Sequence, residues 1–229
     1  MFSIEKIKEA LEIVINQFPL ALWETIYVTL IATLFATIIG LPLGVILVTG
    51  KKDGIKPLPN WLNSFIDLFI NILRSIPFLI VMILVFPLTR LIVGTTVGTV
   101  ASIVPLVIAS FPFIARLVES SLKEVDPNIV EMAQSIGATP LQIVTKVMLP
   151  EAFPSLLQNL TIATTTILGY SAMSGIIGGG GLGKIAINYG YYRYKYLIML
   201  FAVIVLVLLV QIFQSVGSFV ATKSDKRLK

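Results

Sequence analysis

Apolar residues run along this chain in long blocks, without the two-residue or 3.6-residue alternation of a half-buried soluble element. Five such blocks cover residues 20–48, 61–86, 99–118, 152–177 and 196–220. Each reaches the roughly 20 residues that a helix needs to cross a bilayer, so each predicts a transmembrane helix. The polar stretches between blocks are short, except residues 119–150, which can hold structure of their own. The predicted fold is an all-α polytopic membrane protein: five transmembrane helices, with a two-helix loop between the third and the fourth.

Several blocks carry their own breaks. Pro42, between Gly40 and Gly44, permits a kink and close helix contact near the end of the first. Pro77 interrupts the second, and Pro105 and Pro112 fall within the third, as occurs where protein or water satisfies the freed backbone. Residues 87–98 read as a tight connection containing Arg90. The fourth block ends in Gly178-Gly-Gly-Gly-Leu-Gly183, where glycine suits tight turns and close backbone packing. A loop over 184–195 follows, with Tyr189, Tyr191, Tyr192 and Tyr194 as an interfacial belt.

The chain divides into three parts. Residues 1–19 mix Glu5, Lys6, Lys8, Glu9 and Glu12 with apolar residues and read as an amphipathic interfacial segment. They do not read as a cleaved signal, because the next apolar run is too long and no small-residue cleavage site is evident. Residues 20–220 form the transmembrane domain. Residues 221–229, with Lys223, Lys226, Arg227 and Lys229, form a basic tail.

Composition then narrows the chemistry. The chain has no cysteine, which removes disulfides and Cys-based metal sites. It has no histidine, which removes the commonest general base and metal ligand. Catalysis within the chain is therefore not expected. A net charge of +5 requires no nucleic acid, since basic cytoplasmic loops supply it. Placing the 50s loop, residues 119–150 and the tail inside puts the N-terminus outside and the C-terminus in the cytoplasm. Lys184, Arg193 and Lys195 are then a mild excess of positive charge outside.

Polar residues inside the blocks pose sharper questions. Asp67, Asn71 and Arg74 share one helical face and are expected to point inward, because charge in lipid is expensive. A path lining and an internal structural pair both account for them, and the pairing tendency of buried charge favours the second. Asp67 reads as the one clear acid within a span. The fourth block has a hydroxyl-rich side, with Thr161, Thr164, Thr165, Thr166, Ser171 and Ser174. Helix packing and a lined path account for it equally. Thr165 and the stretch Tyr170-Ser171-Ala172-Met173-Ser174 are the candidate path and gate, with Met173 flexible enough to close a narrow passage. Gly178-x-x-x-x-Gly183-Lys184 approaches a phosphate-binding loop, but Ile185 supplies no hydroxyl for magnesium and no buried strand precedes it.

Residues 126–150 carry local signals of a bent elbow. Asp126 is placed to cap a helix beginning at Pro127, and Gly137 suits the left-handed residue that closes it. Thr139 restarts a helix, with Gln142 spaced for a capping box, and Pro150 is expected to end it at Leu149.

Glu131-x-Ala133-x-x-x-Gly137, nine residues, then Val147-x-Leu149-Pro150 resembles the EAA loop of ABC-importer permeases. It departs from that pattern at Met132 and, conservatively, at Val147. The resemblance implies the type I ABC-importer permease fold. It also implies that Glu131, Met132, Ala133, Gln134, Ser135, Gly137, Ala138, Leu149 and Pro150 form the coupling helix docked on a separate ATPase. Leu168 to Gly183, Asn188 to Tyr191, Arg74-Ser-Ile-Pro77 and the five-span plan resemble the permeases of methionine importers in particular. That likeness implies ATP-driven uptake of D- or L-methionine by alternating access, with a phosphonate or osmoprotectant as the alternative solute. It implies a homodimer, two ATP-binding-cassette subunits that hold ATP and magnesium, and an extracytoplasmic substrate-binding lipoprotein. No cofactor is expected in this chain, whose setting is the lipid of a bacterial cytoplasmic membrane. An ion-driven secondary transporter is disfavoured by the scarcity of intramembrane acids and the lack of a visible inverted repeat. A membrane scaffold without transport is the other rival.

Overall fold

The computed structural model describes residues 4–225, with side chains from Lys8 onward except Glu9. Helix α1 runs unbroken over Ile4–Thr49. Next come α2, Asn60–Ser75, α3, Phe78–Leu84, and α4, Phe86–Val93. Helix α5, Ile103–Lys123, leads to the elbow: α6, Pro127–Ser135, α7, Pro140–Ile143, a π-helical turn at Val144–Met148, and α8, Leu149–Glu151. Helix α9 spans Phe153–Ser174 and tightens into a 3-10 turn at Gly175–Ile177. Helix α10, Gly181–Ile185, runs into a π-helical stretch at Ala186–Tyr192, and α11 covers Tyr196–Ser224.

Among the described residues, four helices are long and apolar enough to cross a membrane. A fifth crossing results when α2 and α3 are taken together, with a bend of 105° between them. The second block is thus no straight span. Pro77 lacks the N–H that would continue the ladder, Ile76 becomes extended, and α3 restarts with Pro77 as its cap.

Other boundaries are corrected too. Residues 4–19 form no separate element, because α1 continues through them. Ala10 and Phe18 are buried in the same apolar cluster as Leu182, Ile198 and Ala202, so tertiary packing holds this segment helical. The side chains of Glu5, Lys6 and Glu9, and the tail residues Lys226, Arg227 and Lys229, lie outside the described residues. Residues 86–93 are helical, and Gly94 closes α4 in the left-handed conformation. The third span begins at Ile103 and extends to Lys123. Residues 184–192 are helical as well, so the tyrosines at 189, 191 and 192 sit on a helix.

The chain forms two compact units. One comprises α1 up to Leu34 with Pro77–Ile108 and Thr164–Phe213. Its core gathers Phe18, Ala21, Leu168, Leu182, Ile185, Ile198 and Leu209. The other comprises Phe35–Ile76, Ala109–Ala163 and the end of α11 from Gln214. Here Gly40-Leu-Pro-Leu-Gly44 lets α1 lie directly on α5. A Cβ on Gly40 would stand 2.8 Å from the Phe111 carbonyl oxygen, and one on Gly44 would stand 2.6 Å from that of Ala115. Close approach of backbones at small residues four apart is how helices pack where lipid supplies no hydrophobic drive. Leu47, Ile70 and Ala115 bury beside this contact.

Candidate functional site

The elbow is built by local chemistry. The Asp126 carboxylate accepts from the Asn128 backbone N–H at 2.9 Å, and Pro127 occupies the first helical position. At the far end of α6, Gly137 has φ +81°. Its N–H donates to the Gln134 carbonyl at 2.9 Å, and the Ala138 N–H donates to that of Ala133 at 3.1 Å. This pair of bonds is the Schellman closure, which satisfies carbonyls that the helix end would orphan. Thr139 and Gln142 then make a reciprocal capping box, with Thr139 N–H to Gln142 Oε1 at 2.9 Å and Gln142 N–H to Thr139 Oγ1 at 3.4 Å.

Pro150 does not end this second limb. Leu149 keeps helical angles, and its N–H donates to the Val144 carbonyl five residues back. A proline ring in an α-helix crowds the carbonyl four residues earlier. The π-helical turn at Val144–Met148 widens the ladder just ahead of that point, so the chain passes through Pro150 to Glu151 without breaking.

Burial sorts the elbow into an inner and an outer side. Ala133, Ile143 and Met148 are buried, whereas Met132, Ile136 and Leu141 are 62%, 81% and 73% exposed. Three large apolar side chains thus stand exposed along the bent segment. Glu131 and Gln134 are exposed on the same segment, and Ser135 Oγ donates to the Glu131 carbonyl at 2.9 Å.

A charge network stands just before the elbow. Glu119 is 4% exposed. Its carboxylate accepts from Arg116 at 2.7 Å, Lys123 at 2.7 Å and Lys51 at 3.2 Å. Arg116 reaches α2 with its other nitrogen, donating to Asp67 Oδ1 at 2.8 Å and Asn71 Oδ1 at 2.7 Å. The expected structural pair therefore exists, but its cation is Arg116. Arg74 lies two turns along α2 from Asp67, is exposed, and has no side-chain partner among the described residues. Sequence reading missed Glu119, Lys51 and Lys123. Arg116-x-x-Glu119-x-x-x-Lys123 did carry a signal, since i, i+3 and i+7 share a helix face.

In the other unit, a second acid inside a span corrects the reading of Asp67 as the only one. Glu24 on α1 accepts from the Gly181 N–H at 2.7 Å and from Thr99 Oγ1 at 2.9 Å. Thr25 Oγ1 accepts from the Leu182 N–H at 2.9 Å. The first N–H groups of α10 are thus capped by α1. A phosphate-binding loop would offer these donors to its ligand; here they are spent on the chain's own carboxylate and hydroxyl. Gly178 and Gly181 have φ of +86° and +76°, as the turns require.

The candidate path residues separate in the structure. Ser171 and Ser174 are buried, and their hydroxyls donate to the Leu168 and Ser171 carbonyls at 2.8 and 2.6 Å. Both bonds lie within the chain turn that closes α9. Tyr170 stacks on Phe78, the first residue of α3, with ring centroids 4.6 Å apart and planes 2° apart. Met173 is 39% exposed, and Thr165 is half-buried.

Residues 40–228 match the family of binding-protein-dependent transport system inner membrane components. The chain belongs to that family. As such it is the membrane component of an ABC transporter and not its ATPase, in keeping with the four to five candidate spans. This permease component is 51% identical over 208 residues to the probable D-methionine transport system permease protein MetI of Vibrio cholerae, covering 90% of this chain and 92% of that one. It is 40% identical over 138 residues to the methionine import system permease protein MetP of Bacillus subtilis, covering 60% and 62%. Its fold is similar to that of a chain in inward-facing structures of the methionine ABC transporter MetNI, with a TM-score of 0.87 at 42% identity, covering 89% and 94%.

Proposed function

We propose that this chain is the permease of an ATP-driven methionine importer. The likeness to methionine permeases along nine-tenths of its length carries the reading. The chain provides the passage and the coupling surface. Two copies would pair, and each elbow would dock on one of two ATPase subunits, which hold ATP and magnesium. An extracytoplasmic binding lipoprotein would deliver D- or L-methionine.

The elbow supports this division of labour. Its apolar residues Met132, Ile136 and Leu141 stand exposed, as does Glu131 of the same segment, which would help fix the contact. Ala133, Gly137 and Ala138 set the bend, while Leu149 and Pro150 carry it into α9. ATP closing the ATPase dimer would displace both elbows and rock the bundle from inward-open to outward-open. Thr165, Tyr170, Ser171, Met173 and Ser174 are the residues assigned to the path and gate. Putting the elbow in the cytoplasm sets the C-terminus inside and the N-terminus outside.

The test is reconstitution of this permease with its ATPase and lipoprotein in liposomes. Uptake of labelled methionine should require internal or external ATP on the ATPase side only, and should survive a proton uncoupler. Uptake without ATPase subunits, or ATP-driven uptake of a phosphonate or osmoprotectant but not methionine, would overturn the reading.

A further inference from the structure

The last turns of α5 are gripped on two faces. At 100° per residue, Arg116, Glu119 and Lys123 fall on one side of the helix, and Ser121 falls on nearly the opposite side. On the first side, Arg116 joins Glu119 to Asp67 and Asn71 of α2. On the second, the Ser121 hydroxyl receives Asn159 Nδ2 at 2.8 Å and Ser155 Oγ at 3.0 Å. Asn159 Nδ2 also donates to the Leu117 carbonyl at 3.3 Å.

These contacts have a common position. Helix α5 enters the elbow, and α9 leaves it, with Ser155 in its first turn. The two stems are therefore braced to each other immediately beside the bend. The same stretch of α5 is tied to α2 by ionic hydrogen bonds, which are shorter and stronger than neutral ones. Packed or bonded elements with discrete arrangements carry displacement; a fluid contact would absorb it.

We propose that Glu119 is a positioning residue for coupling. Its carboxylate, held by Lys51 and Lys123, aligns Arg116 so that movement of the elbow passes to α2 as a rigid body. The Ser121–Asn159 brace keeps the two stems from shearing. This rests on the elbow being the ATPase contact.

The test uses the complete transporter in liposomes and reads solute imported per ATP hydrolysed. Glu119→Gln should lower that ratio roughly fivefold, a typical scale for a mutation within a coupling network, while ATPase activity stays near wild type. In an Arg116→Gln background, Glu119→Gln should add no further loss. An unchanged ratio in Glu119→Gln, or additive losses in the pair, would overturn the proposal. Gly137→Pro serves as reference. If it uncouples while Glu119→Gln does not, only this inference fails. If neither uncouples, the elbow reading fails with it.

A second measurement does not depend on that variant folding. The chain has no cysteine, so Ser64→Cys on α2 and Thr145→Cys on the elbow, both exposed, take spin probes site-specifically before the permease is combined with its ATPase. The probe distance within one protomer should be the same in nucleotide-free and ATP-bound transporter. A shift in that distance would show that α2 does not move with the elbow and would overturn the proposal.

Discussion

Glu24 and Gly181 lie 157 residues apart, yet the Glu24 carboxylate accepts the Gly181 backbone N–H at 2.7 Å. The same carboxylate takes the Thr99 hydroxyl, so one side chain of α1 holds both the start of α10 and the approach to α5. Its energetic weight follows from what its loss would strand. Removing an acceptor leaves buried donors unpaired at about 1–3 kcal/mol each.

Glu24→Leu should therefore lower the midpoint of thermal unfolding in detergent by several degrees, from a loss of roughly 2–6 kcal/mol. Glu24→Gln, which keeps one carbonyl acceptor, should lose less. Equal midpoints for Glu24→Leu and wild type would remove the lock.

Two glycines on the same side of the sequence should behave oppositely. A Cβ on Gly181 would meet Thr25 Oγ1 at 2.5 Å, and its φ of +76° already disfavours any other residue. Gly181→Ala should cost more than about 1–2 kcal/mol, the left-handed penalty alone. Gly169 has nothing within 4 Å of its Cβ position and sits within α9. Gly169→Ala should leave stability level or raise it by up to about 1 kcal/mol. Thermal unfolding of the two variants in one detergent decides it.

At the elbow, Gly137 also has positive φ but open space around it. Gly137→Ala should insert normally and cost only about 1–2 kcal/mol of strain. Gly137→Pro cannot supply the N–H that bonds the Gln134 carbonyl and cannot adopt the angle, so it should uncouple ATP hydrolysis from uptake without loss of membrane insertion. Measured uptake equal to wild type in Gly137→Pro would contradict the proposed role.

The exposed trio gives a binding prediction. Replacing Met132, Ile136 and Leu141 by alanine removes apolar area that only a partner can cover. At about 25 cal/mol per Å² of buried apolar surface, the triple variant should weaken ATPase association at least tenfold. Titration of ATPase onto immobilised permease measures this. Thr139→Ala is the internal control: it loses a cap worth about 1 kcal/mol and should lower elbow helicity more than affinity.

Much of the elbow was legible because its geometry is made within a few residues. Asp126, Gly137, Thr139 and Gln142 act on backbone groups at most four positions away. Pro150 was misread for a related reason: the rule about the residue before proline assumes α-helical bonding, and the π turn at Val144–Met148 evades it by shifting the Leu149 N–H to the Val144 carbonyl. Composition likewise could not show that Ser171 and Ser174 bond back to the Leu168 and Ser171 carbonyls, because a hydroxyl's partner is chosen by the local helix geometry.

By itself, the sequence determined the long apolar helices, the break at Pro77, the bent polar elbow and its caps. Bilayer length and short-range hydrogen bonding specify all of these. Only the tertiary structure decided which faces meet. It paired Asp67 with Arg116, 49 residues away, and not with nearby Arg74. It gave Glu24 to the glycine turn and carried α1 without a break through residue 19. Helices apolar on every side carry no stripe to name their neighbours, so close packing at small residues and the pairing of a few costly charges select the partners.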